Sequence, residues 1–177
     1  MSIISLRSLV IACLLGLLAG CSGNTASGLS DSPPLTRPVG TAALLQQVRG
    51  AGEVGDELDV QPLRDPRVED LRNAATQAEA RGNYAGTAKL LAQAAQYTPE
   101  DPDLLQWQAE MALVQRDWVE AEQLATRSWD RGPKLGGLCR RNWTTRQLAA
   151  EARGDAAAAA LAQGQVAGCK VAPPVRL

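Results

Sequence analysis

Three kinds of residue recur at an interval of 34 positions in the middle of the chain. The interval separates two aromatic residues, the two short polar residues directly before them, and two prolines. A repeat of this length is one supersecondary unit that cannot bury its apolar side alone, so successive units must stack. The chain is therefore expected to fold as a short array of stacked units. The three pairs are Tyr84 and Trp118, Asn83 and Asp117, and Pro99 and Pro133.

Within each unit the sequence is typical of two helices joined by a tight turn. The segments "RGNY" and "QRDW" form the turns, and "TPEDP" closes the first unit. This pattern resembles the tetratricopeptide repeat (TPR), with units at about 68–101 and 102–135. Small residues in the second helix let two helices approach closely, and the proline prevents the helix from continuing. The positions that match the family here are Thr87, Leu91, Ala94 and Pro99, then Ala121, Ala125, Ser128 and Pro133.

The first helix of each unit departs from the family pattern. The aromatic, Leu, Gly and Tyr positions of the family hold other, mostly small residues here. The resemblance therefore rests on the period and the turns. The residues at these positions are Leu71, Ala74, Ala75 and Ala78, then Leu105, Gln108, Ala109 and Ala112.

The first twenty residues have the parts of an export signal. Arg7 is their only charge, and an apolar run of about eleven residues follows it, too short for a membrane span. The run ends in "LAGC", which resembles the lipobox of bacterial lipoproteins, so residues 1–20 are predicted to be cleaved. The resemblance implies a diacylglycerol and an N-acyl chain on Cys21, and Ser22 implies sorting to the outer membrane, facing the periplasm. An ordinary signal peptide with an incidental cysteine is the alternative.

Residues 21–66 have the composition of a flexible tether, rich in Ser, Gly and Pro. One apolar, helix-compatible segment at 41–48 interrupts it. That segment is either a helix that docks on the domain or on a partner, or a nascent helix without a specific role.

A third, degenerate unit follows the two regular ones. Its Gly154-Asp155 turn arrives four residues later than the period requires, which one extra helical turn would explain. Cys139 and Cys169 are equidistant from Gly154, so they should face each other at the open end of the hairpin. If Cys21 is acylated, these two form an even pair in a compartment that permits disulfides. We predict a Cys139–Cys169 disulfide, with two buried free thiols as the alternative.

The expected fold is therefore all-α: a short TPR-like α-solenoid of about three antiparallel helix hairpins. The domain should occupy 67–170, after the tether and before a C-terminal tail at 171–177. The composition agrees, because Ala and Leu dominate the apolar residues and aromatics make up only 3%.

The residue types present argue against catalysis and favour protein binding. The chain has no His, no phosphate-binding Gly-rich loop, and a net charge of −1. We therefore expect no enzymatic activity, metal, nucleic acid or small-molecule substrate, and no cofactor beyond the acyl chains on Cys21. The membrane is contacted only through that lipid anchor.

The TPR resemblance implies that a protein partner binds the concave groove formed by the first helix of each unit. The ligand would be a peptide or helix from an envelope complex. We expect the chain to be an adaptor that assists assembly of an outer-membrane, secretion or pilus complex; the alternative is a tether or regulator of a periplasmic enzyme such as a peptidoglycan hydrolase. The implied groove residues are Glu69, Arg72, Thr76, Glu79, Gln106, Glu110, Leu113, Arg140 and Thr144.

Overall fold

A computed structural model describes residues 40–55 and 63–171, and all regular secondary structure in these two ranges is helical. The predicted signal sequence, Cys21, the predicted tether apart from 40–55 and 63–66, and residues 172–177 lie outside the described residues. None of the described helices is long and apolar enough to cross a membrane. The helices are α1 (Thr41–Gly52), α2 (Pro66–Ala80), α3 (Tyr84–Ala94), α4 (Pro102–Val114), α5 (Trp118–Arg131), α6 (Gly136–Ala152) and α7 (Ala156–Gly168).

Helices α2 to α7 form three hairpins, α2–α3, α4–α5 and α6–α7, and neighbouring hairpins pack on each other. The predicted all-α, TPR-like architecture is thus confirmed. The delay of the third turn has the predicted cause, because α6 has 17 residues whereas α4 has 13.

The same turn closes all three hairpins. Asn83, Asp117 and Asp155 are N-caps, and each side chain accepts a hydrogen bond from the backbone N–H three residues on. Such a cap satisfies one of the free N–H groups at a helix start. The residue before each cap has a left-handed backbone, with φ of 73° at Gly82, 65° at Arg116 and 76° at Gly154. The repeat seen in the sequence is therefore a repeat of backbone conformation.

Replacing Gly82 with alanine should lower the free energy of unfolding by about 1 kcal/mol, because an L side chain disfavours a positive φ. Nothing lies within 4 Å of the added Cβ, so the backbone conformation is the whole cost. Gly164→Ala in α7 is the matched control, since its Cβ also meets nothing. This change should stabilise the chain by up to about 1 kcal/mol through helix propensity. Urea denaturation of both variants checks the contrast, and equal effects would contradict it.

The second helix of each regular hairpin is packed through the positions that the family pattern marks. The six of these positions that are not prolines are all fully buried. Two of them carry hydroxyl groups that donate to backbone oxygens, Thr87 to Asn83 at 2.9 Å and Ser128 to Pro102 at 2.6 Å. Polar groups at these close contacts are thus satisfied, as buried polar groups require.

A disulfide joins Cys139 in α6 to Cys169 directly after α7, at an S–S distance of 2.03 Å. Both residues are buried beside Trp143, which makes an edge contact with Trp129 at 5.5 Å between ring centroids. Helix α7 buries only two alanines of its own. The covalent bond therefore holds α7, whose own apolar packing is sparse, against α6.

Helix α1 packs on the domain, within the stretch that we assigned to the tether. Its buried residues are Leu44, Leu45 and Val48. Leu44 and Val48 join a core cluster with α4, α5 and α6, and Leu45 joins a second cluster with α2, α3 and α4. The helix also runs four residues beyond the predicted segment, to Gly52. Of the two alternatives for 41–48, the structure shows the docked helix.

Candidate partner-binding groove

The first helices of the three hairpins are α2, α4 and α6, and α1 lies against α4 and α6. We call the surface of α2, α4 and α6 that faces α1 the groove. Helix α1 covers its α4–α6 part with apolar side chains and reaches its α2 edge with one arginine. The chain therefore occupies, with its own helix, the surface that the sequence assigned to a partner.

Glu110 of α4 is fully buried and connects three helices. Its Oε1 accepts hydrogen bonds from Arg141 Nε at 2.9 Å and Nη2 at 2.6 Å, and from Gln106 Nε2 at 3.1 Å. Its Oε2 accepts from Arg49 Nε of α1 at 2.9 Å. Gln106 also donates to Thr145 Oγ1 at 2.9 Å. A buried carboxylate is tolerated only when it is paired and hydrogen-bonded in this way.

Glu79 of α2 binds the same arginine from the other side. Arg49 donates to its two carboxylate oxygens, with Nη1 at 2.5 Å and Nη2 at 3.0 Å, and Trp107 Nε1 donates at 2.7 Å. Burial alone would lower the pKa of Arg49, but its bonds to Glu79 and Glu110 outweigh this and raise it. Burial alone would raise the pKa of Glu79, yet Arg49 and Trp107 hold it below its ordinary value. The bidentate pair fixes the orientation of α1 as well as its position.

Asp103, at the start of α4, pairs with three arginines. Arg72 of α2 donates to it directly, and Arg141 Nη1 and Arg64 Nη2 lie 3.5 Å from its oxygens. Burial would raise the pKa of Asp103, but the charges of Arg72 and Arg141 lower it. Arg141 is therefore shared between two carboxylates of the same helix, Asp103 and Glu110.

Arg140 of α6 satisfies the end of α1. Its Nε donates to the carbonyl oxygen of Ala51 at 2.8 Å and its Nη2 to that of Gly52 at 3.1 Å. The last carbonyls of a helix have no partner within the helix and carry partial negative charge, so a guanidinium stabilises them. The backbones meet closely here, because a Cβ on Gly137 would lie 2.7 Å from the Gly52 oxygen.

The charged groups of the groove should make the free energy of unfolding depend on pH in the acid range. The pKa of Glu79 and of Asp103 is lowered in the folded chain from ordinary values of 4.5 and 3.8. The folded chain then binds fewer protons than the unfolded chain, so this stabilisation is complete above the ordinary values and is lost as the pH falls through the lowered ones. We expect the free energy of unfolding to fall below about pH 4.5.

The Glu79→Gln variant isolates one group of this pH dependence. At neutral pH it should be less stable than the native chain, because Arg49 loses a charged partner. At low pH the native Glu79 is itself protonated, so the two stabilities should converge. Urea denaturation at a series of pH values measures the gap, and a gap that does not change with pH would contradict the assignment.

A comparison with solved structures relates this chain to one domain of another protein. The globular C-terminal domain of P. aeruginosa LpoP matches with a TM-score of 0.54 and 30% sequence identity. The match covers 59% of this chain and 99% of that domain. The chain belongs to the LpoP family. No protein-family model matches the chain, and the comparison with curated proteins returns no match.

The structure of this LpoP-family chain changes the expected accessibility of the predicted groove residues. Five of them are at most 5% exposed. Leu113 is fully buried in the cluster that contains Leu44 and Val48 of α1, so it is a core residue. In α6 it is Thr145, next to the predicted Thr144, that bonds to Gln106. The five are Gln106, Glu110, Leu113, Arg140 and Thr144.

The α2 edge of the groove is more open in this LpoP-family chain. Thr76 is exposed, and its hydroxyl bonds only to the Arg72 carbonyl one turn earlier. Arg72 and Glu79 are half-buried and paired, and Glu69 is exposed. The assignment of these residues to a partner stays a prediction.

The sequence interpretation missed four residues of this site. Arg49 lies one position past the predicted helical segment, and Trp107 and Arg141 are not among the implied groove positions. Asp103 lies 34 residues after Glu69, so the repeat period was the available signal for it. The apolar spacing of α1 followed by an arginine was the available signal for Arg49. No group of three or more potential ligands close enough to hold a metal ion occurs among residues 40–55 and 63–171. The missed residues are Arg49, Asp103, Trp107 and Arg141.

Proposed function

We propose that this chain is an outer-membrane lipoprotein that faces the periplasm and that its helical domain binds and regulates an enzyme which builds or remodels peptidoglycan. The anchor would be Cys21, carrying a diacylglycerol and an N-acyl chain. Regulation of an enzyme was the second of the two functions that the sequence left open.

The relationship to LpoP carries this proposal. It extends over 99% of the LpoP domain and is consistent with an adaptor or regulator of a periplasmic enzyme. A protein partner also agrees with the construction of the groove. Its polar groups are bonded to side chains and main chain of an α-helix, so they match a protein ligand in shape and charge.

Photo-crosslinking in cells tests the proposed partner. Probes belong on Glu69 and Thr76, the predicted groove residues that are exposed on α2, because the buried groove residues cannot reach a partner while α1 is in place. Lys89 and Gln123 are exposed on α3 and α5 and serve as controls on the second helices of the hairpins. We expect the α2 probes to capture a peptidoglycan enzyme and the controls not to do so.

An activity assay completes this test. The captured enzyme should change its rate by about fivefold or more when the purified lipoprotein is added. Capture of a secretin or β-barrel component in place of an enzyme would favour the assembly role. Capture of an enzyme whose rate does not respond would contradict regulation.

A further inference from the structure

Helix α1 occupies the groove with few attachments of its own. Three of its twelve residues are buried, whereas α4 buries nine of thirteen. Its N-terminus has no side-chain cap, and Gln46, Gln47 and Gly50 are exposed. A helix of this length is marginal in water and depends on its packing. Its residence in the groove therefore rests on a single apolar stripe, on Arg49, and on the two hydrogen bonds that Arg140 donates to its last carbonyl oxygens.

The groove defines the helix that it accepts. Apolar side chains are required at positions i, i+1 and i+4, which α1 supplies as Leu44, Leu45 and Val48. A cation is required at i+5, where Arg49 lies between Glu79 and Glu110. The helix must then end within about one turn, because Arg140 binds its last two carbonyl oxygens.

An occupant without these groups would remove the arginine that Glu79 and Glu110 share. Glu110 is fully buried and would retain only Arg141 as a cation, and Glu79 would keep only the indole of Trp107. Unpaired buried charge costs several kcal/mol, so the groove discriminates strongly in favour of an arginine-bearing helix.

We propose that α1 is an internal stand-in for a helix of the partner enzyme, and that this partner helix displaces α1 from the groove on binding. The partner helix is amphipathic, with the pattern apolar, apolar, two polar residues, apolar, arginine. This inference rests on the proposed function and adds the recognition element and the competition. A second copy of the chain is disfavoured as the occupant, because its α1 is identical to one already held at millimolar effective concentration by the same chain.

A peptide of residues 40–55 with a fluorescent label is the probe, and the full-length chain in detergent is the target. Val48→Asp places a charge at a fully buried position of α1 and leaves the groove residues unchanged. We expect the peptide to bind this variant at least about tenfold more tightly than it binds the native chain, whose groove is filled. A peptide with Arg49→Ala should bind the variant at least about tenfold more weakly than the native peptide.

The Gly50→Ala substitution should have the opposite effect on binding of the added peptide. Its Cβ would meet nothing within 4 Å, so the change strengthens α1 as a helix without altering its contacts. Binding of the added peptide to this chain should weaken about two- to fivefold relative to the native chain. If circular dichroism shows that Val48→Asp loses more helix than α1 contains, Arg49→Ala replaces it, with the same expected order of affinities.

The outcomes separate the inference from the proposed function. Equal peptide affinity for the Val48→Asp and native chains would overturn the inference, as would a concentration-dependent dimer that exchanges α1 between copies. A crosslinked enzyme that the peptide does not displace also overturns it, while the proposed function stands. Tight peptide binding without capture of any peptidoglycan enzyme overturns that enzyme as the partner and supports displacement alone.

Discussion

Replacing Glu110 with glutamine should lower the free energy of unfolding by about 3 kcal/mol. The change keeps the volume of the side chain but removes the charge that Arg49 and Arg141 share. Breaking a buried pair costs up to about 5 kcal/mol when the remaining charge is fully buried. The lower figure applies here because Arg49 and Arg141 keep 37% and 23% of their side chains exposed.

Glu100→Gln provides the control for Glu110→Gln. Glu100 pairs with Arg127 and Arg131, and all three side chains are at least half exposed. Exposed pairs contribute at most about 1 kcal/mol, so the free energy of unfolding of this variant should be close to that of the native chain. Urea denaturation of the two variants gives the comparison. Similar losses in both would mean that Glu110 does not hold the groove together.

Replacing both Cys139 and Cys169 with alanine should lower the free energy of unfolding by about 3–4 kcal/mol in the chain-entropy treatment. The bond closes a loop whose ends are 30 residues apart. Loss of the bond increases the conformational entropy of the unfolded chain. In the folded chain it leaves α7 held by Ala159, Ala162 and the partly buried Val166. The effect should be largest in the α6–α7 hairpin, which within 40–55 and 63–171 packs against a neighbouring hairpin on one side only.

Reduction of the native chain is the matched experiment for this pair. The native chain in reductant should be about as unstable as the double variant, and the variant itself should not respond to reductant. Thiol alkylation and mass measurement, with and without reduction, count the bonded cysteines. Two thiols that alkylate without reduction in protein from the periplasm would contradict the disulfide.

The hairpins could be predicted from the sequence because their signals are local. Asn83, Asp117 and Asp155 each cap the helix that begins directly after them, and each turn is complete within about four residues. The length of α6 could be predicted in the same way, because a turn that comes four residues late requires a longer helix before it. Such features are set by neighbours in the chain and leave a periodic trace.

The filling of the groove could not be predicted, because it joins distant parts of the chain. Arg49 meets Glu79 across 30 residues and Glu110 across 61 residues. The spacing of Leu44, Leu45 and Val48 indicates an apolar helix face, but periodicity does not say which surface that face covers. Gln106 and Glu110 have the polarity of a solvated face, yet both are buried. Their partners lie on α6 and, for Glu110, also on α1, which are distant in the sequence.

Amide hydrogen exchange of α1 in the full chain tests most directly whether this helix fills the groove. We expect the amides from Leu44 to Arg49 to exchange at least about a hundredfold more slowly than those of an unstructured peptide, though faster than those of α4. The Glu110→Gln substitution should accelerate amide exchange in α1 more than in α3. Exchange of α1 at the rate of an unstructured peptide, while α4 and α6 stay protected, would contradict the account.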